Sequence, residues 1–172
     1  MNRLLKTQFG WCGISINKDI ISKIVLPAYN KHLVLQKLNR SNGALKNNPK
    51  QSPAITGLLK DLSRYFNGEK VDFHTRARYI ADLPGASKFE RAVYKTLMGI
   101  PYGRVRTYKW VAQKAGSPRA SRAVGNALAK NPLPIIIPCH RIIKSDGSLG
   151  NFSAIGGRKL KKKLLELENA TW

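Results

Sequence analysis

Acidic residues are scarce in this chain of 172 residues. Nine Asp and Glu stand against 31 Lys and Arg, which gives a formal net charge of +22. So positive a chain attracts polyanions and repels partners of like charge. Nucleic acid is the leading partner, because each phosphate that a basic side chain neutralises releases counterions and adds affinity. A basic surface that only aids solubility is the alternative interpretation of the charge.

Long apolar runs and paired cysteines are also missing. The start, MNRLLKTQFGWCG, has no apolar stretch of signal length, and no run of about 18 apolar residues occurs anywhere. We expect no membrane segment and a reduced intracellular compartment, cytoplasmic beside the nucleoid or nuclear in a eukaryote. Cys12, Cys139, His32, His74 and His140 show no CxxC or HxxxH spacing, so we expect no bound metal.

The character of the sequence changes near residue 83, which predicts two domains, 1–82 and 83–172. In the first, WCGISI and ISKIVL alternate apolar residues around the turn signal NKD and predict a hairpin. Residues 39–53 are polar and predict a loop. A helix that Asn67-Gly68 would end follows, with its apolar face formed by Ile55, Leu58, Leu59, Leu62 and Phe66. The first domain is therefore predicted to be a small α/β unit, a sheet plus a helix.

The second domain is predicted to be mainly helical. Ser87 and Glu90 form a capping-box pattern that predicts a helix over 87–98. A second helix is predicted to begin at Thr107 or Tyr108 and to end at Gly116. A third is predicted to have Ser117 as its N-cap and Pro118 at its first position, and to end before Asn131-Pro132. The short Gly-Ser-Pro turn between the last two predicts a helix-turn-helix.

The third of these helices is unusually slim. Its predicted buried stripe is Ala120, Ala123, Val124, Ala127 and Leu128, and its small residues also include Ser121, Gly125 and Asn126. Arg119 and Arg122 stand at its beginning. A major-groove reader projects long polar side chains toward the bases, whereas a slim helix suits close approach to a narrow groove, with an arginine placed between bases. Tight packing of two helices is the alternative explanation.

The segment PIIIPCHRII, residues 134–143, places Cys139 directly after three isoleucines. Bounded by Pro134 and Pro138, this run predicts a short buried strand that ends at the cysteine. A thiol at such an end can be an inert core residue, a metal ligand, half of a disulfide or a nucleophile.

Together the motifs RTYKWVAQKAGSPRASRAVGNALAKNPLPIIIPCHRII, SDGSLGNFS and KKKLLELE resemble the O6-alkylguanine-DNA alkyltransferase family, also called methylated-DNA–protein-cysteine methyltransferases. The resemblance covers about residues 84–168. It implies direct reversal of DNA damage without a cofactor: an O6-alkylguanine flipped out of double-stranded DNA is dealkylated onto a cysteine, once per protein molecule. It implies a monomer in solution and leaves cooperative binding along DNA open.

The resemblance also implies roles for single residues. PCHR makes Cys139 the alkyl acceptor and His140 its water-linked base, and LLxxE makes Glu168 the carboxylate that orients the histidine. Tyr108 would donate to the guanine ring and crowd the phosphate that rotates during flipping. Asn131 would tie the recognition helix to the active-site strand.

Further roles concern the DNA and the base pocket. Arg122 would fill the hole that the flipped base leaves, and the same helix would touch DNA through Arg119, Ala120, Ser121, Ala123, Gly125 and Asn126. In the lid GNFS, Phe152 takes the place of the more usual Tyr as a wall for the base, and Ser153 would lie near O6. Arg141 and the Ile142 carbonyl would complete the reactive turn and the pocket.

Besides Phe152, the chain departs from the family pattern at a second point, and two assignments remain to be chosen. Ala154-Ile155 is inserted between the lid serine and the glycine pair that usually follows it, which lengthens the lid or shifts Ser153. Only one of the carboxylates Glu166 and Glu168 can contact His140, because residues two positions apart on a helix point to different faces. RKLKKK, residues 158–163, is predicted to be a solvated helix face, with phosphate contact as the alternative.

Two other functions are compatible with parts of the sequence. In a thiol hydrolase Cys139 and His140 would form a dyad, but adjacent residues of an extended chain point to opposite faces. In a DNA-binding module the helix-turn-helix would flag lesions without repairing them; relatives of the alkyltransferases that do so carry Trp in place of the acceptor cysteine. Cys12, beside Trp11 in an apolar strand, is predicted to be a buried small hydrophobe. We expect surface or structural positions for His32 and His74.

Overall fold

The computed structural model describes residues 2–17, 20–39, 53–73, 83 and 85–172. Contacts divide the chain into two compact units, Met1–Val71 and Asp72–Trp172. The predicted domain boundary after residue 82 falls beside residues outside these ranges and stays a prediction. Most of the predicted loop over 39–53 also lies outside the described residues. Within the described ranges, no helix has the length and apolar character needed to cross a membrane.

An antiparallel sheet of three strands, in the order β1-β2-β3, forms the centre of the first unit. The strands are β1 (Asn2–Thr7), β2 (Gly10–Asn17) and β3 (Ile20–Ala28). The predicted hairpin is confirmed, since Asn17 pairs with Ile20 and Ile16 with Ile21. Strand β1 was not predicted, because its adjacent Leu4 and Leu5 break the alternation that marks a half-buried strand.

Two helices pack on this sheet: α1 (Lys31–Asn39) contacts β2 and β3, and α2 (Pro53–Phe66) contacts β1. Gly13 lets α1 approach closely, because a β-carbon there would lie 2.6 Å from Val34 Cγ1 and 2.7 Å from Leu38 Cδ1. The buried face of α2 consists of Ile55, Leu58, Leu62, Tyr65 and Phe66, with Leu59 half-buried. Helix α2 ends before Asn67-Gly68 as predicted, and Gly68 adopts a φ of 89°.

The second unit begins with α3 (Lys88–Met98), whose capping box is formed as predicted. The amide of Glu90 donates to Ser87 Oγ at 3.2 Å, and the amide of Ser87 donates to Glu90 Oε2 at 2.8 Å. Two of the four orphan amides at this helix start are thereby satisfied. Val93, Tyr94, Leu97 and Met98 form the buried face.

The predicted helix pair is present as α4 (Tyr108–Lys114) and α5 (Ser121–Ala129). Thr107 caps α4, since its Oγ1 accepts from the amide of Trp110 at 3.1 Å. The prediction that Ser117 caps α5 is wrong: residues 117–119 form a turn, in which the amide of Ala120 donates to the Ser117 carbonyl at 2.9 Å. Proline suits the second position of a turn as well as the first position of a helix, so Pro118 did not distinguish the two.

The buried stripe of α5 is narrower than predicted. Val124, Ala127 and Leu128 are buried, but Ala120 is half-buried and Ala123 is exposed. The hydroxyl of Tyr94 donates to the Ala127 carbonyl at 3.0 Å and joins α3 to α5. More of the small residues of α5 therefore face outward than helix packing requires.

The isoleucine run before Cys139 is buried, but it forms a tight turn instead of the predicted strand. Ile135 has a φ of 78°, which is rare for a β-branched residue. Pro134 and Pro138 lack the amides that a strand ladder needs, so the segment folds back on itself. One 3-10 turn, Cys139–Arg141, follows it, and then β5 (Ile142–Ile143), which pairs in parallel with β4 (Arg106–Thr107).

The last helix is α6 (Gly157–Leu167), which follows a loop over residues 150–156 that we call the lid. Gly156, with a φ of 92°, is the N-cap of α6, and Glu168 is its C-cap. The buried face of α6 includes Leu160, Lys161, Leu164 and Leu165. The second unit is thus mainly helical, with a helix-turn-helix and a short strand next to the cysteine.

Candidate active site around Cys139

Cys139 opens the 3-10 turn Cys139–Arg141, which we call the reactive turn, and only 6% of its surface is exposed. Its amide donates to the Ile137 carbonyl at 2.7 Å. The same carbonyl accepts from Asn131 Nδ2 at 2.8 Å, and Asn131 Oδ1 accepts from the amide of Leu133 at 3.0 Å. The Asn131 side chain also acts to lower the pKa of the Cys139 thiol. Asn131 therefore connects the end of α5 to the reactive turn.

Glu168 binds two residues of the reactive turn, His140 and Arg141. Its Oε1 lies 2.8 Å from His140 Nε2, and both of its oxygens accept from Arg141, at 2.8 Å from Nε and 2.9 Å from Nη2. The amide of Gly103 donates to Oε2 at 3.0 Å, and Arg141 Nη1 donates to the Ile100 carbonyl at 2.6 Å. A bidentate arginine pair of this kind fixes geometry as well as charge. Glu166 is exposed and lies 3.7 Å from Lys162, so Glu168 is the carboxylate at His140.

Burial sets the charges of this cluster. It raises the pKa of the Cys139 thiol, although Asn131 and the positive charge of Lys161 oppose the rise. It lowers the pKa of His140 in spite of Glu168. Burial alone would raise the pKa of Glu168, but hydrogen bonds from His140 and Arg141 outweigh it and hold the carboxylate ionised. At neutral pH the site therefore holds a thiol, a neutral imidazole and a carboxylate.

A cavity of about 670 Å³ opens above the thiol. Its lining comes from α4, α5, the reactive turn, the turn after β5 and the lid, and none of its side chains is acidic: Tyr108, Lys109, Ser121, Arg122, Gly125, Asn126, Leu128, Ala129, Cys139, Lys144, Ser145, Gly150, Asn151, Phe152 and Ser153. Burial raises the pKa of Tyr108, and a charge on Cys139 would raise it further, so its hydroxyl remains a proton donor at neutral pH. This volume lies in the usual range for small-molecule sites and is large enough to admit a single nucleotide base.

The lid lines part of the cavity through Gly150, Asn151, Phe152 and Ser153. A β-carbon at Gly150, which has a φ of 68°, would lie 2.9 Å from the Tyr108 hydroxyl oxygen. Phe152 is half-buried on the wall, and exposed Ser153 donates from Oγ to the Ala129 carbonyl at 3.3 Å. The inserted Ala154 and Ile155 are half-buried, do not line the cavity, and precede Gly156 and Gly157.

The residues predicted to contact DNA lie in α5 and at the two positions before it, and they divide into two groups. Ser121, Arg122, Gly125 and Asn126 line the cavity, with Arg122 and Asn126 exposed. Arg119, Ala120 and Ala123 lie off the lining, and Arg119 and Ala123 are exposed.

Comparison with known proteins identifies the family of this chain. The family model for the DNA binding domain of 6-O-methylguanine DNA methyltransferase matches residues 88–170. A methylated-DNA--protein-cysteine methyltransferase of Mycolicibacterium paratuberculosis is 39% identical over 139 residues, which make up 81% of this chain and 78% of that protein. The chain belongs to the methylated-DNA–protein-cysteine methyltransferase family.

A second relative of the same name, from Methanothermobacter thermautotrophicus, is 40% identical over 118 residues, and the match spans 69% of this chain and 63% of that protein. Among solved structures, the OGT of Mycobacterium tuberculosis in complex with DNA superposes with a TM-score of 0.69 at 28% identity, covering 98% of this chain and 92% of that one. The predicted fold class, a small α/β unit followed by a mainly helical unit with a helix-turn-helix, is confirmed.

Two predicted pocket residues of this methyltransferase family member lie elsewhere. Arg141 and Ile142 are buried and absent from the cavity lining. Arg141 is turned toward Glu168, and the Ile142 carbonyl accepts from Lys161 Nζ. Arg141 is the last residue of the 3-10 turn, and Ile142 follows it in β5.

Three basic side chains of the site were missed by the sequence argument. Lys109 and Lys144 are exposed on the cavity lining, and Lys161 is fully buried behind it, which contradicts a solvated face for that part of RKLKKK. Arg158, Lys159, Lys162 and Lys163 are exposed as predicted. The available signal for Lys161 was its spacing of seven residues from Glu168, which puts both on one face of α6.

Cys12, His32 and His74 were predicted to take no part in the reaction. Cys12 is fully buried, and burial raises its pKa to about 12, so this thiol is inert as predicted. His32 is exposed, and His74 lies outside the described residues. Within the described ranges, no three His, Cys, Asp or Glu side chains are grouped as a metal site.

Proposed function

We propose that this protein repairs DNA by moving the alkyl group of O6-alkylguanine, chiefly O6-methylguanine, onto Cys139, once per molecule and without a cofactor. The observation that carries the proposal is the thiol of Cys139 on the wall of a cavity that can admit a nucleotide base and is lined by a helix-turn-helix and a lid, while His140 next to it binds Glu168. The family model of 6-O-methylguanine DNA methyltransferase supports the substrate. A relative bound to DNA supports the partner.

Alkyl transfer begins with the thiol proton. Displacement at an alkyl carbon requires a thiolate, and burial keeps Cys139 protonated. Ionised Glu168 accepts from His140 Nε2, so the proton of the neutral ring sits on Nε2 and Nδ1 is the basic nitrogen. His140 takes the thiol proton through Nδ1, by way of a water, and Glu168 stabilises the imidazolium.

Bond exchange then follows at the alkyl carbon. The S–C bond forms as the C–O6 bond breaks, and the electron pair of the broken bond passes to guanine. Tyr108 donates a hydrogen bond to the ring nitrogen on which that charge appears, and guanine finally takes up one proton, balancing the one lost by the thiol. The product thioether is not readily reversed, so each protein molecule acts once.

The target atom is buried in duplex DNA, so the base must leave the stack at a cost of a few kcal/mol. Arg122 is exposed at the rim of the cavity, where its side chain can replace the flipped base. Exposed Ala123 and small Gly125 keep α5 slim enough to enter the minor groove. We propose that the protein is a monomer that acts on double-stranded DNA, in the cytoplasm beside the nucleoid or, in a eukaryote, in the nucleus.

Replacing the acceptor tests this function. Cys139→Ser is expected to abolish transfer of a labelled methyl group from an O6-methylguanine duplex while leaving the dissociation constant for that duplex within about twofold, since the hydroxyl is a far poorer nucleophile of nearly the same size. Transfer that persists in Cys139→Ser contradicts the assignment. A wild-type protein that binds the lesion and transfers nothing favours the lesion-recognition module, and repeated release of product from a chromogenic ester favours a thiol hydrolase.

A further inference from the structure

Lys161 is a cation in the interior of the second unit. It is fully buried, while its neighbours Lys159, Lys162 and Lys163 are exposed. It shares the buried face of α6 with Leu160 and Leu164. Fully buried lysines are rare unless they are paired or hydrogen-bonded, because removing an ammonium from water is costly.

The hydrogen bonds of Lys161 join two segments of the site. Its Nζ donates to the carbonyl of Ile142, one residue after the reactive turn, and to the carbonyl of Leu149, one residue before the lid. The same Nζ lies 5.9 Å from the centroid of the Phe152 ring, within the range of a cation–π contact. One side chain thus holds the reactive turn, the start of the lid and a wall of the cavity.

Two charged side chains, one on helix α6 and one at its C-terminal end, hold the reactive turn and the residue after it. Glu168, seven residues after Lys161 on the same helical face, binds His140 and Arg141. Lys161 binds the carbonyl of Ile142 immediately after them. A purely structural residue at this buried position would fit better as an apolar side chain, since that avoids the cost of burying a charge.

We propose that Lys161 fastens the lid to the reactive turn, and that it thereby positions Phe152 and Ser153 over Cys139 for alkyl transfer. The effect on transfer rests on the proposed function, whereas the fastening does not. Lys161 touches neither the alkyl group nor the base in this arrangement, so it is a positioning residue.

Electrostatics supports the same assignment. Burial lowers the pKa of Lys161 to about 8, while a charge on Cys139 would raise it. In return, the positive charge of Lys161 favours the Cys139 thiolate and opposes protonation of His140. A neutral side chain of equal length would remove both effects together with the fastening.

The test compares Lys161→Met with Lys162→Met in the full-length chain. Methionine fills nearly the same space without donors or charge, and Lys162 offers a matched change on the exposed face of α6. The first readout is the set of backbone amide order parameters of residues 150–156 measured by NMR relaxation. The second is the single-turnover rate of transfer at saturating O6-methylguanine duplex, with duplex affinity measured in the Cys139→Ser background.

For Lys161→Met we expect order parameters of the lid to fall from the rigid range toward about 0.6, and the transfer rate to fall about tenfold, roughly 1.4 kcal/mol in barrier. Affinity for the duplex should stay within about twofold, because Lys161 is buried and is not exposed to the DNA phosphates. Lys162→Met should match the wild type in all three measurements.

An unchanged lid in Lys161→Met overturns the fastening, and an unchanged transfer rate with a loosened lid overturns the positioning role. If Lys161→Met does not fold, Lys161→Gln removes the charge and shortens the side chain; a lid and a rate identical to wild type would then count against the proposal, and losses in both would support it. If the wild type itself transfers no methyl group, the proposed function fails, while the order parameters still decide whether Lys161 fastens the lid.

Discussion

At the scale of single residues, Cys139 is a protonated thiol, and the imidazole of its neighbour His140 is oriented by Glu168. Burial raises its pKa and lowers that of His140, so neither carries a charge at neutral pH. Glu168 is the charged group of the three, and Arg141 balances it. Under the proposed function the proton moves within the site when a substrate arrives. A protonated thiol is a weak target for soluble oxidants or alkylating agents.

The Glu168 carboxylate predicts how stability depends on pH. Its pKa is lowered from an unfolded value of 4.5, so it stabilises the fold above that pH, and the stabilisation is lost as pH falls through the folded pKa. We expect the free energy of unfolding to drop below about pH 4.5 in the wild type and to drop less in Glu168→Gln. Urea unfolding at a series of acidic pH values measures both curves, and parallel curves would contradict this role.

Gly150 predicts a contact between the lid and Tyr108. In Gly150→Ala the new β-carbon would lie 2.9 Å from the Tyr108 hydroxyl, in addition to the strain of a positive φ. Gly147→Ala is the matched control, with a φ of 82° and nothing within 4 Å of the added carbon. We expect both to destabilise the fold by about 1 kcal/mol through strain, but only Gly150→Ala to slow transfer in single-turnover assays. Equal transfer rates would show that the lid does not fix Tyr108.

At the scale of elements, helix α5 combines an arginine with small exposed residues. Arg122 and Ala123 are both exposed, and Gly125 lies where a β-carbon would meet the Tyr108 ring at 3.8 Å. The cavity therefore opens directly beside the helix that is proposed to enter the minor groove.

Arg122→Ala tests the part of α5 in flipping. Without a side chain to fill the vacated stack, transfer from duplex DNA should fall about tenfold or more, roughly 1.4 kcal/mol. Reaction with a free O6-alkylguanine base needs no flipping and should change by less than about twofold. Lys95→Ala, an exposed lysine of α3, serves as the charge control. Equal losses with duplex and free base would refute the plug role.

The elements that the sequence predicted well have side-chain signals at their ends. The Ser87 and Glu90 capping box placed the start of α3, and Gly116 placed the end of α4. Ser117-Pro118 misplaced the start of α5, because a turn uses the same residues. The isoleucine run was correctly predicted to be buried, but its backbone direction depends on Ile135 at a φ of 78°, which no local pattern encodes.

The site was predicted in a similar way. Motifs predicted Cys139 and its two partners, but no motif predicted how the residues that hold them in place are arranged. The motif PCHR and LLxxE identified Cys139, His140 and Glu168, which the structure brings together. Arg141 turned toward Glu168 instead of the pocket because the segment is a 3-10 turn. Lys161 was not predicted to be part of the site. It lies in a run of basic residues whose composition indicates a solvated helix face, and only tertiary packing buries this one lysine of the run.

At the scale of the whole molecule, the charge of +22 is the dominant property. Affinity for DNA should therefore decrease steeply with salt, and most of it should not depend on sequence. The cavity lining adds Lys109, Arg122 and Lys144 and no acidic side chain, so the positive field continues to the mouth of the site.

The salt dependence gives a prediction for individual lysines. In the Cys139→Ser background, replacing Lys109 or Lys144 with Ala should reduce the slope of log affinity against log salt by about 0.9 each, if each neutralises one phosphate. Fluorescence anisotropy between roughly 50 and 200 mM salt measures the slope. Lys95→Ala on α3 should leave it unchanged, and an unchanged slope in the two cavity variants would place the phosphates elsewhere.

The central claim is stoichiometric transfer to one thiol. The most direct measurement is intact and peptide mass spectrometry after the pure protein is mixed, without a cofactor, with a duplex that carries a single O6-methylguanine. The account predicts a gain of one methyl group on the peptide that contains Cys139, saturating at one per protein molecule. No gain in mass while the lesion DNA is bound, or a methyl group on another residue, would contradict it.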